Sequence, residues 1–288
     1  MSKETNIAVF QDTCEHFKEA SLEEAIRKSL KRQKIYYKDE RLENSSSKYS
    51  DKAMIIVSAK KSFEAARKYK GMKVCVHNFA SFTNPGGGVV NGSSAQEESL
   101  CRVSTLYPLL SDKSMMSGFY WKHKDMLKTG EVNATYNDDA IYTPGVVVFK
   151  DDNRMQLLPK NQWMSLDVVT IAAPNLRSNP NNKWNPEPSK AVTVKPMELL
   201  ALHRQRARRL FSIAKANNVE VLILGAFGCG AFRNPPEIVA RAYKEILVEF
   251  EHDFKTVEFA VYCSKHDQAV NPSGNNYEVF KRVLKHCF

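Results

Sequence analysis

The sequence predicts an α/β fold, in which a sheet lies between layers of helices. Apolar segments of strand length alternate along the chain with segments whose apolar residues recur at helical spacing. Two glycine-rich loops each follow a predicted strand, which is where the ligand loops of α/β sheets lie. No internal repeat is visible. With 43% hydrophobic residues in a chain of 288, the composition is that of a globular protein with a sizeable core.

The N-terminal segment is predicted to be helical. Apolar residues such as Leu22 and Ile26 recur at roughly helical spacing within residues 12–38. We therefore expect residues 1–50 to form a helical extension packed on the core, and residues 51–288 to form the main domain.

The main domain is predicted to alternate strands with helices. Apolar runs predict the strands, and amphipathic segments predict the helices. The predicted strands cover residues 52–59, 73–81, 140–152, 166–176, 219–227 and 256–263. The predicted helices cover residues 61–71, 95–110, 202–218, 237–250 and 276–287. Residues 111–139 are polar and aromatic without a clear period, and we interpret them as an irregular insertion.

The formal net charge is +10, and much of it lies in helix-like segments at residues 23–38 and 202–218. Such basic segments are typical of solvated helix faces. They could also produce a positive electrostatic field that attracts a polyanion such as nucleic acid or a nucleotide polymer. Charge alone does not separate the two interpretations. Direct nucleic-acid binding therefore stays a weaker alternative, which steeply salt-dependent DNA binding would favour.

The chain is expected to work inside the cell. Its first residues lack the basic start and apolar core of a secretory signal, and no apolar run reaches the length of a membrane span. Six cysteines lie scattered, without CxxC or metal-finger spacing. We expect a cytoplasmic monomer that binds no membrane and needs no metal and no cofactor.

Two glycine loops are candidates for ligand binding. The first, NPGGG, begins at Asn84 and contains Gly86, Gly87 and Gly88, and the second, GAFGCG, begins at Gly225. Glycine lets a backbone approach a phosphate closely, and successive N–H groups can form an anion-binding nest. Neither loop is a Walker motif or a dinucleotide fingerprint, because GxxxxGK[ST] and GxGxxG are absent.

Two adjacent carboxylates, Glu97 and Glu98, follow the first loop after a short spacer. One interpretation is an ordinary acidic helix start, whose charges the helix dipole favours. The other gives them different tasks, because a helix turns by about 100° per residue. One would hold a sugar hydroxyl, and the other, its pKa raised by burial and by its neighbour's charge, would protonate a leaving oxygen. Gln96 would supply a neutral donor and acceptor to fix the arrangement.

The stretch NFASFTNPGGGVVNGSSAQEESLCRVSTLY, residues 78–107, resembles the signature of the microbial-type poly(ADP-ribose) glycohydrolases, enzymatic members of the macrodomain superfamily. GGG at 86–88 followed by QEE at 96–98 is the hallmark of that family. GAFGCGAFRNPP, residues 225–236, resembles the family's second diphosphate-binding loop. The resemblance implies a three-layer α/β/α macrodomain with a mixed central sheet and an N-terminal helical accretion, and makes residues 51–288 the catalytic domain.

The resemblance also implies roles for single residues. Glu98 matches the catalytic acid that protonates the oxygen between ribosyl units, and Glu97 matches the carboxylate that holds hydroxyls of the cleaved ribose. Asn84 matches a position near the distal ribose. An aromatic of the second loop packs on that ribose, and the sequence leaves Phe227 and Phe232 both open. The glycines of both loops are implied to bind the diphosphate through backbone N–H groups. Besides Asn84 and the two aromatic candidates, the implied substrate-binding residues are Gly86, Gly87, Gly88, Gln96, Gly225, Gly228, Cys229 and Gly230.

The leading hypothesis is an exo-acting hydrolase that releases ADP-ribose from poly(ADP-ribose). Its expected partners are ADP-ribose, the polymer and ADP-ribosylated macromolecules. One alternative removes ADP-ribose from a protein side chain or a nucleic acid, and another is a non-catalytic ADP-ribose-binding macrodomain. The QEE sequence argues against the non-catalytic alternative, because binding alone does not need two carboxylates facing an anionic ligand.

A bulkier residue at Gly87 or Gly228 is expected to weaken ligand binding and to leave the fold intact.

Overall fold

The computed structural model describes residues 2–42, 46–181, 189–264, 275–285 and 287. The strands in these residues are β1 (Lys34–Tyr36), β2 (Met54–Ser58), β3 (Val74–Phe79), β4 (Ala140–Val148), β5 (Met164–Ile171), β6 (Val221–Leu224) and β7 (Thr256–Ala260). Within the described part of the chain they form a mixed seven-stranded sheet in the order β1-β4-β5-β3-β6-β7-β2. The predicted α/β class with a mixed sheet is confirmed.

Helices precede and follow most of the strands, as the alternating pattern predicts. They are α1 (Lys3–His16), α2 (Ala20–Leu30), α3 (Ser62–Arg67), α4 (Gln96–Val103), α5 (Leu106–Leu110), α6 (Lys113–Met115), α7 (Lys122–Thr129), α8 (Pro196–Ala216), α9 (Pro236–Leu247) and α10 (Asn276–Val283). A π-helical turn, Met116–Trp121, joins α6 to α7, and short 3₁₀ helices cover Val89–Asn91, Lys160–Gln162 and Val248–Phe250.

The first of two compact units consists of Met1–Lys38, Asn78–Ala172 and Arg177–Val192. Its strand pairs are antiparallel: β1 pairs with β4, and β4 pairs with β5. The register of β4 against β5 shifts between Thr143 and Val146. In this unit α1 packs against α4, and α2 packs against β4. The GGG and QEE segments both belong to this unit.

The second compact unit consists of Asp39–His77, Ala173–Leu176 and Thr193–Phe288. Its strand pairs β3–β6, β6–β7 and β2–β7 are parallel. Every residue of β6, VLIL, is buried, as expected for a strand of a parallel sheet. Helices α8 and α9 pack against each other in this unit. The second glycine loop follows β6, so the predicted order of strand and loop is confirmed there.

The prediction of helix over residues 12–38 is confirmed for most of the segment, which contains the end of α1 and all of α2, and is wrong where β1 forms. Helix α1 begins at Lys3, where the Ser2 hydroxyl oxygen accepts a hydrogen bond from the Thr5 N–H at 3.2 Å, and it ends at His16. After α2 the chain forms β1, which pairs with β4. Long-range pairing with a strand more than a hundred residues away decides this short segment, and local periodicity does not report it. The boundary at residue 50 remains a prediction.

The interpretation of residues 111–139 as irregular is wrong for residues 113–129, which are helical, whereas residues 130–139 lie outside helices and strands. The Asp112 carboxylate caps α6 by accepting from the Ser114 N–H at 2.9 Å. The π-helical turn then widens the helix before α7 begins. A π turn shifts the phase of the side chains, so one period of 3.6 residues does not run through the stretch. That shift hides the helix from a search for periodicity.

Candidate active site

The two adjacent glutamates are buried, and this rules out the interpretation as a solvated helix start. Glu97 and Glu98 lie in the first turn of α4, and their exposed fractions are 2% and 7%. A carboxylate in the protein interior loses its hydration and therefore needs hydrogen-bond donors or a proton. The surroundings of each carboxyl group then decide its chemistry.

Glu97 is held by donors from the end of β3 and the residues after it. Its Oε1 accepts from the Asn78 side-chain amide at 3.1 Å, and its Oε2 accepts from the Ser81 N–H at 2.7 Å. Asn78 is itself fully buried and also donates to Thr170 Oγ1 of β5 at 3.2 Å. These bonds fix the orientation of the Glu97 carboxyl group.

The environment of Glu97 favours its protonated form. Burial and the negative charge of Glu98 raise the pKa of Glu97 to about 8, although the hydrogen bonds from Ser81 and Asn78 act in the opposite direction. At neutral pH the pair therefore shares a proton, as closely spaced buried carboxyls do.

Glu98 has one fixed oxygen and one oxygen that no described residue engages. Its Oε1 accepts from the Gly88 N–H at 3.0 Å. Its Oε2 is buried and has no hydrogen-bond partner among the described residues. A carboxyl group oriented through one oxygen, with the other one unengaged by the protein, is suited to transfer a proton to a substrate.

The GGG loop holds the carboxylates. Gly88 donates to Glu98, and Gly87 donates to the Asn84 carbonyl at 3.0 Å. A backbone bond from Gly86 favours the charged form of Glu97. These bonds conflict with the expectation that the N–H groups of all three glycines bind a diphosphate, because the protein itself engages them.

Gly87 cannot accept a side chain without disturbing this arrangement. Its φ of +56° lies in the left-handed region, and a Cβ atom there would lie 2.6 Å from Glu98 Oε1 and 3.2 Å from Glu97 Oε2. The expectation that a bulkier residue leaves the structure intact is therefore wrong at this position, since the residue would displace the carboxylates directly.

Gln96 and Asn84 organise the backbone around the carboxylates. The Gln96 side-chain carbonyl accepts from the Phe79 N–H at 2.9 Å and so links the start of α4 to the end of β3. The Asn84 N–H donates to the Ser81 hydroxyl oxygen at 3.2 Å, and its side-chain amide donates to Thr83 Oγ1 at 3.1 Å. Both side chains thus bond to the segment that runs from the end of β3 to the GGG loop, and the place of Asn84 near the distal ribose stays a prediction.

Two residues near the carboxylates were not found from the sequence. Arg102, four residues after Glu98 on α4, is 1% exposed; burial lowers the pKa of its guanidinium group, while the negative charge of Glu98 acts in the opposite direction. Its i, i+4 spacing from Glu98 was the available signal. The fully buried Tyr120 lies in the π-helical turn, and burial and the charge of Glu97 raise its pKa. No sequence signal marks Tyr120, because the π turn itself was missed.

The second glycine loop, in the second unit, is organised by a buried asparagine that the motif did not single out. Asn234 is 2% exposed, and its amide donates to the carbonyls of Pro174 at 2.7 Å and Gly228 at 3.1 Å. Its Oδ1 lies 2.8 Å from His203 Nε2. Burial lowers the pKa of His203 to about 4, so the neutral ring donates this bond. The position of Asn234 directly before two prolines was the signal in the sequence.

The two aromatic candidates of this loop differ in exposure. Phe227 is 3% exposed, and its ring lies 4.4 Å from that of His77 and 6.0 Å from that of His203. Phe232 is half-buried, and its carbonyl accepts from the Leu176 N–H at 2.9 Å. Phe227 is thus a core residue of the second unit, whereas Phe232 is only partly buried.

The remaining residues of the loop form a tight turn. Gly225 is buried, Gly230 is exposed, and the Cys229 N–H donates to the Ala226 carbonyl at 3.1 Å. Burial raises the pKa of the Cys229 thiol, which disfavours the thiolate that a nucleophile requires.

Replacing Gly228 with valine is expected to lower the free energy of unfolding by about 2–5 kcal/mol, because strain and overpacking each cost about 1–3 kcal/mol. Gly228 has a φ of +75°, and a Cβ atom would lie 2.5 Å from Ala173 Cβ and 2.6 Å from Asn234 Nδ2. The prediction that the fold stays intact is therefore wrong here too. Gly230→Val is the matched control, because no atom lies within 4 Å of its Cβ position. Denaturant unfolding checks both, and equal stability of the two variants would contradict the packing argument.

Neither a membrane helix nor a cluster of metal-binding side chains is found in the described residues. No helix there is long and apolar enough to cross a bilayer. In the same residues no three His, Cys, Asp or Glu side chains gather as a metal site would require.

Solved structures similar to this chain include proteins from two bacteria. The crystal structure of poly(ADP-ribose) glycohydrolase (PARG) from Thermomonospora curvata shares 27% identity, covers 97% of this chain and 99% of its own, and has a TM-score of 0.78. The structure of that protein bound to the inhibitor ADP-HPD gives 26%, the same coverage and 0.76. PARG from Deinococcus radiodurans in complex with ADP-ribose gives 28%, 90% and 96% coverage, and 0.70. No curated protein matched the chain.

A family model described as the catalytic domain of microbial-type PARG matches residues 3–151. This range is just over half of the 288 residues and contains α1, the GGG loop and the QEE helix. The resemblance read from the GGG and QEE motifs is therefore confirmed. The chain belongs to the microbial-type poly(ADP-ribose) glycohydrolases.

Proposed function

We propose that this chain hydrolyses the ribose–ribose O-glycosidic bonds of poly(ADP-ribose) from the end of the polymer and releases ADP-ribose. The observation that carries the proposal is the buried Glu98 carboxyl group. Its Oε1 is fixed by the Gly88 N–H, and its Oε2 is buried without a hydrogen-bond partner among the described residues. A glycosidic oxygen needs a proton donor placed in this way as it leaves.

Glu98 acts as acid and then as base in this proposal. Its proton goes to the oxygen that leaves C1 of the ribose, while positive charge develops at C1 in an oxocarbenium-like transition state. The resulting carboxylate then takes a proton from the incoming water, whose oxygen bonds to C1. Gly88 keeps the carboxyl group in one orientation through both steps, because its N–H donates to Oε1 and leaves Oε2 for the proton.

Glu97 holds hydroxyls of the ribose that is cleaved. Its carboxyl group is already oriented by Asn78 and Ser81, so little rotational freedom is lost when a ribose binds. With the pKa of Glu97 raised to about 8, the carboxyl pair keeps a proton at neutral pH, and that proton is available for the transfer from Glu98. The proton also lessens the repulsion between the carboxyl pair and an anionic ADP-ribose unit.

The second loop binds the diphosphate, with Phe232 packing on the distal ribose. The turn around Gly228 is held by Asn234, and its shape is therefore fixed before a ligand arrives. Phe232 is favoured over Phe227 because Phe232 is half-buried, whereas Phe227 is a core residue. The natural substrates would be ADP-ribosylated macromolecules in the cytoplasm, a reducing compartment that suits the free cysteines of the described residues.

Incubation with automodified poly(ADP-ribosyl) polymerase, followed by mass detection, tests the activity. We expect free ADP-ribose from the earliest time points and no free oligomers of ADP-ribose, because an exo-acting enzyme releases single units. Calorimetry should give a dissociation constant for ADP-ribose in the low micromolar range, about −8 kcal/mol, and weaker binding of AMP. Binding without release would identify a non-catalytic reader. Release only from mono-ADP-ribosylated protein would indicate a different acceptor, and no binding near millimolar ligand would refute both.

A further inference from the structure

The spacer between the GGG and QEE motifs, residues 89–95, is attached to the N-terminal helix. Asn6 of α1 is 3% exposed, and its side-chain amide donates to the Gly92 carbonyl at 3.0 Å. The two backbones lie so close that a Cβ atom on Gly92, whose φ is +76°, would be 2.5 Å from the Lys3 carbonyl oxygen. Helix α1 thus holds the spacer at a position where the chain requires glycine.

A second attachment runs through Arg102 at the end of α4. Its Nη1 donates to the Ser93 carbonyl at 2.6 Å, next to the residue that Asn6 holds. The carbonyl of Arg102 accepts from the Thr13 hydroxyl of α1 at 2.6 Å. Thr13 in turn accepts from Lys150 Nζ at 2.7 Å, and Thr13 and Lys150 are both buried. The end of α4 and the spacer are therefore linked to the same helix.

We infer that Asn6 and Thr13 of α1 are positioning residues for the catalytic loop. Neither touches the carboxylates; each holds a backbone carbonyl of the segment that carries them. The spacer contains Gly92, Ser93 and Ser94, and such a segment has high conformational entropy unless it is held. Fixing it keeps the Gly88 N–H against Glu98 Oε1. The inference rests on the proposed function only for its catalytic consequence.

Thr13 offers a matched pair of substitutions. Thr13→Val keeps the shape of the side chain but removes the hydroxyl, whereas Thr13→Ser keeps the hydroxyl. Asn6→Ala removes the other attachment. Ser29→Ala is the control for a lost buried hydroxyl, because Ser29 of α2 is 1% exposed and its hydroxyl donates to the Pro144 carbonyl, away from the loop.

Thr13→Val and Asn6→Ala are expected to lower kcat by up to about 10²-fold, the effect of displacing catalytic groups by about 1 Å. The KM and the affinity for ADP-ribose should stay unchanged. Thr13→Ser and Ser29→Ala should keep the wild-type kcat, although Ser29→Ala lowers the melting temperature. Hydrogen–deuterium exchange of peptides covering residues 86–93 should be faster in Thr13→Val and Asn6→Ala than in the wild type and Ser29→Ala.

The exchange measurement separates this inference from the proposed function. If the wild type releases no ADP-ribose, faster exchange in the two α1 variants still supports the attachment of the loop. Unchanged exchange in both variants would overturn the inference, whatever the activity. It would also be overturned if Thr13→Val kept the wild-type kcat while losing as much thermal stability as Ser29→Ala, because a purely structural role predicts that result.

Discussion

Replacing Glu98 with glutamine is expected to abolish most of the turnover while ADP-ribose still binds. The amide oxygen can accept the hydrogen bond from the Gly88 N–H, so the side chain keeps its place. The amide cannot release a proton to the leaving oxygen or take one from water. General acid–base catalysis contributes about 10²–10⁴-fold, and the loss of both steps places the effect at the upper end.

Steady-state rates on polymeric substrate, together with calorimetry of ADP-ribose binding, check this expectation. Glu198→Gln is a matched control, because Glu198 also lies in the first turn of a helix but is exposed. It should have the wild-type rate. Comparable rates for Glu98→Gln and the wild type would remove Glu98 from the mechanism. If Glu97→Gln alone were inactive, the roles of the two glutamates would be exchanged.

Replacing Glu97 with glutamine is expected to impair turnover and to change how stability depends on pH. Turnover falls because an amide next to the Asn78 and Ser81 donors cannot accept from both of them, and the ribose is then misplaced. The pKa of Glu97 rises from 4.5 to about 8 in the folded protein. Between these values the unfolded chain releases the proton that the folded protein keeps, so the wild type loses stability as the pH rises.

The pH effect is measured as a difference between two proteins. Glutamine does not titrate, so the free energy of unfolding of Glu97→Gln relative to the wild type should increase between about pH 4.5 and 8. The slope should be at most about 1.4 kcal/mol per pH unit, and the difference should be constant above pH 8. Denaturant unfolding at several pH values determines it. A difference that does not vary with pH would show that Glu97 titrates normally in the folded protein.

Local sequence information predicted the strands and the motifs. Runs such as VLIL of β6 are buried in a parallel sheet as their composition predicts, and each glycine loop lies where its predicted strand ends. The chemical type of the catalytic candidates was also predictable, because the spacing of GGG and QEE is a local property of the chain. The same local evidence failed for β1 and for residues 113–129, where distant pairing and a π turn decide the structure.

The tertiary structure alone decided how these residues interact. It buries Glu97 and Glu98. It also forms hydrogen bonds between residues that lie between 10 and 89 positions apart in the chain, such as the bond from Gly88 to Glu98 and the bond from Thr13 of α1 to Arg102. Folding also directs the N–H groups of Gly86 and Gly88 to the two carboxyl groups. The physical reason is that a carboxyl group's pKa and orientation depend on the donors, charges and water around it. The sequence determined which groups are present, and only the packing of distant segments determined their surroundings.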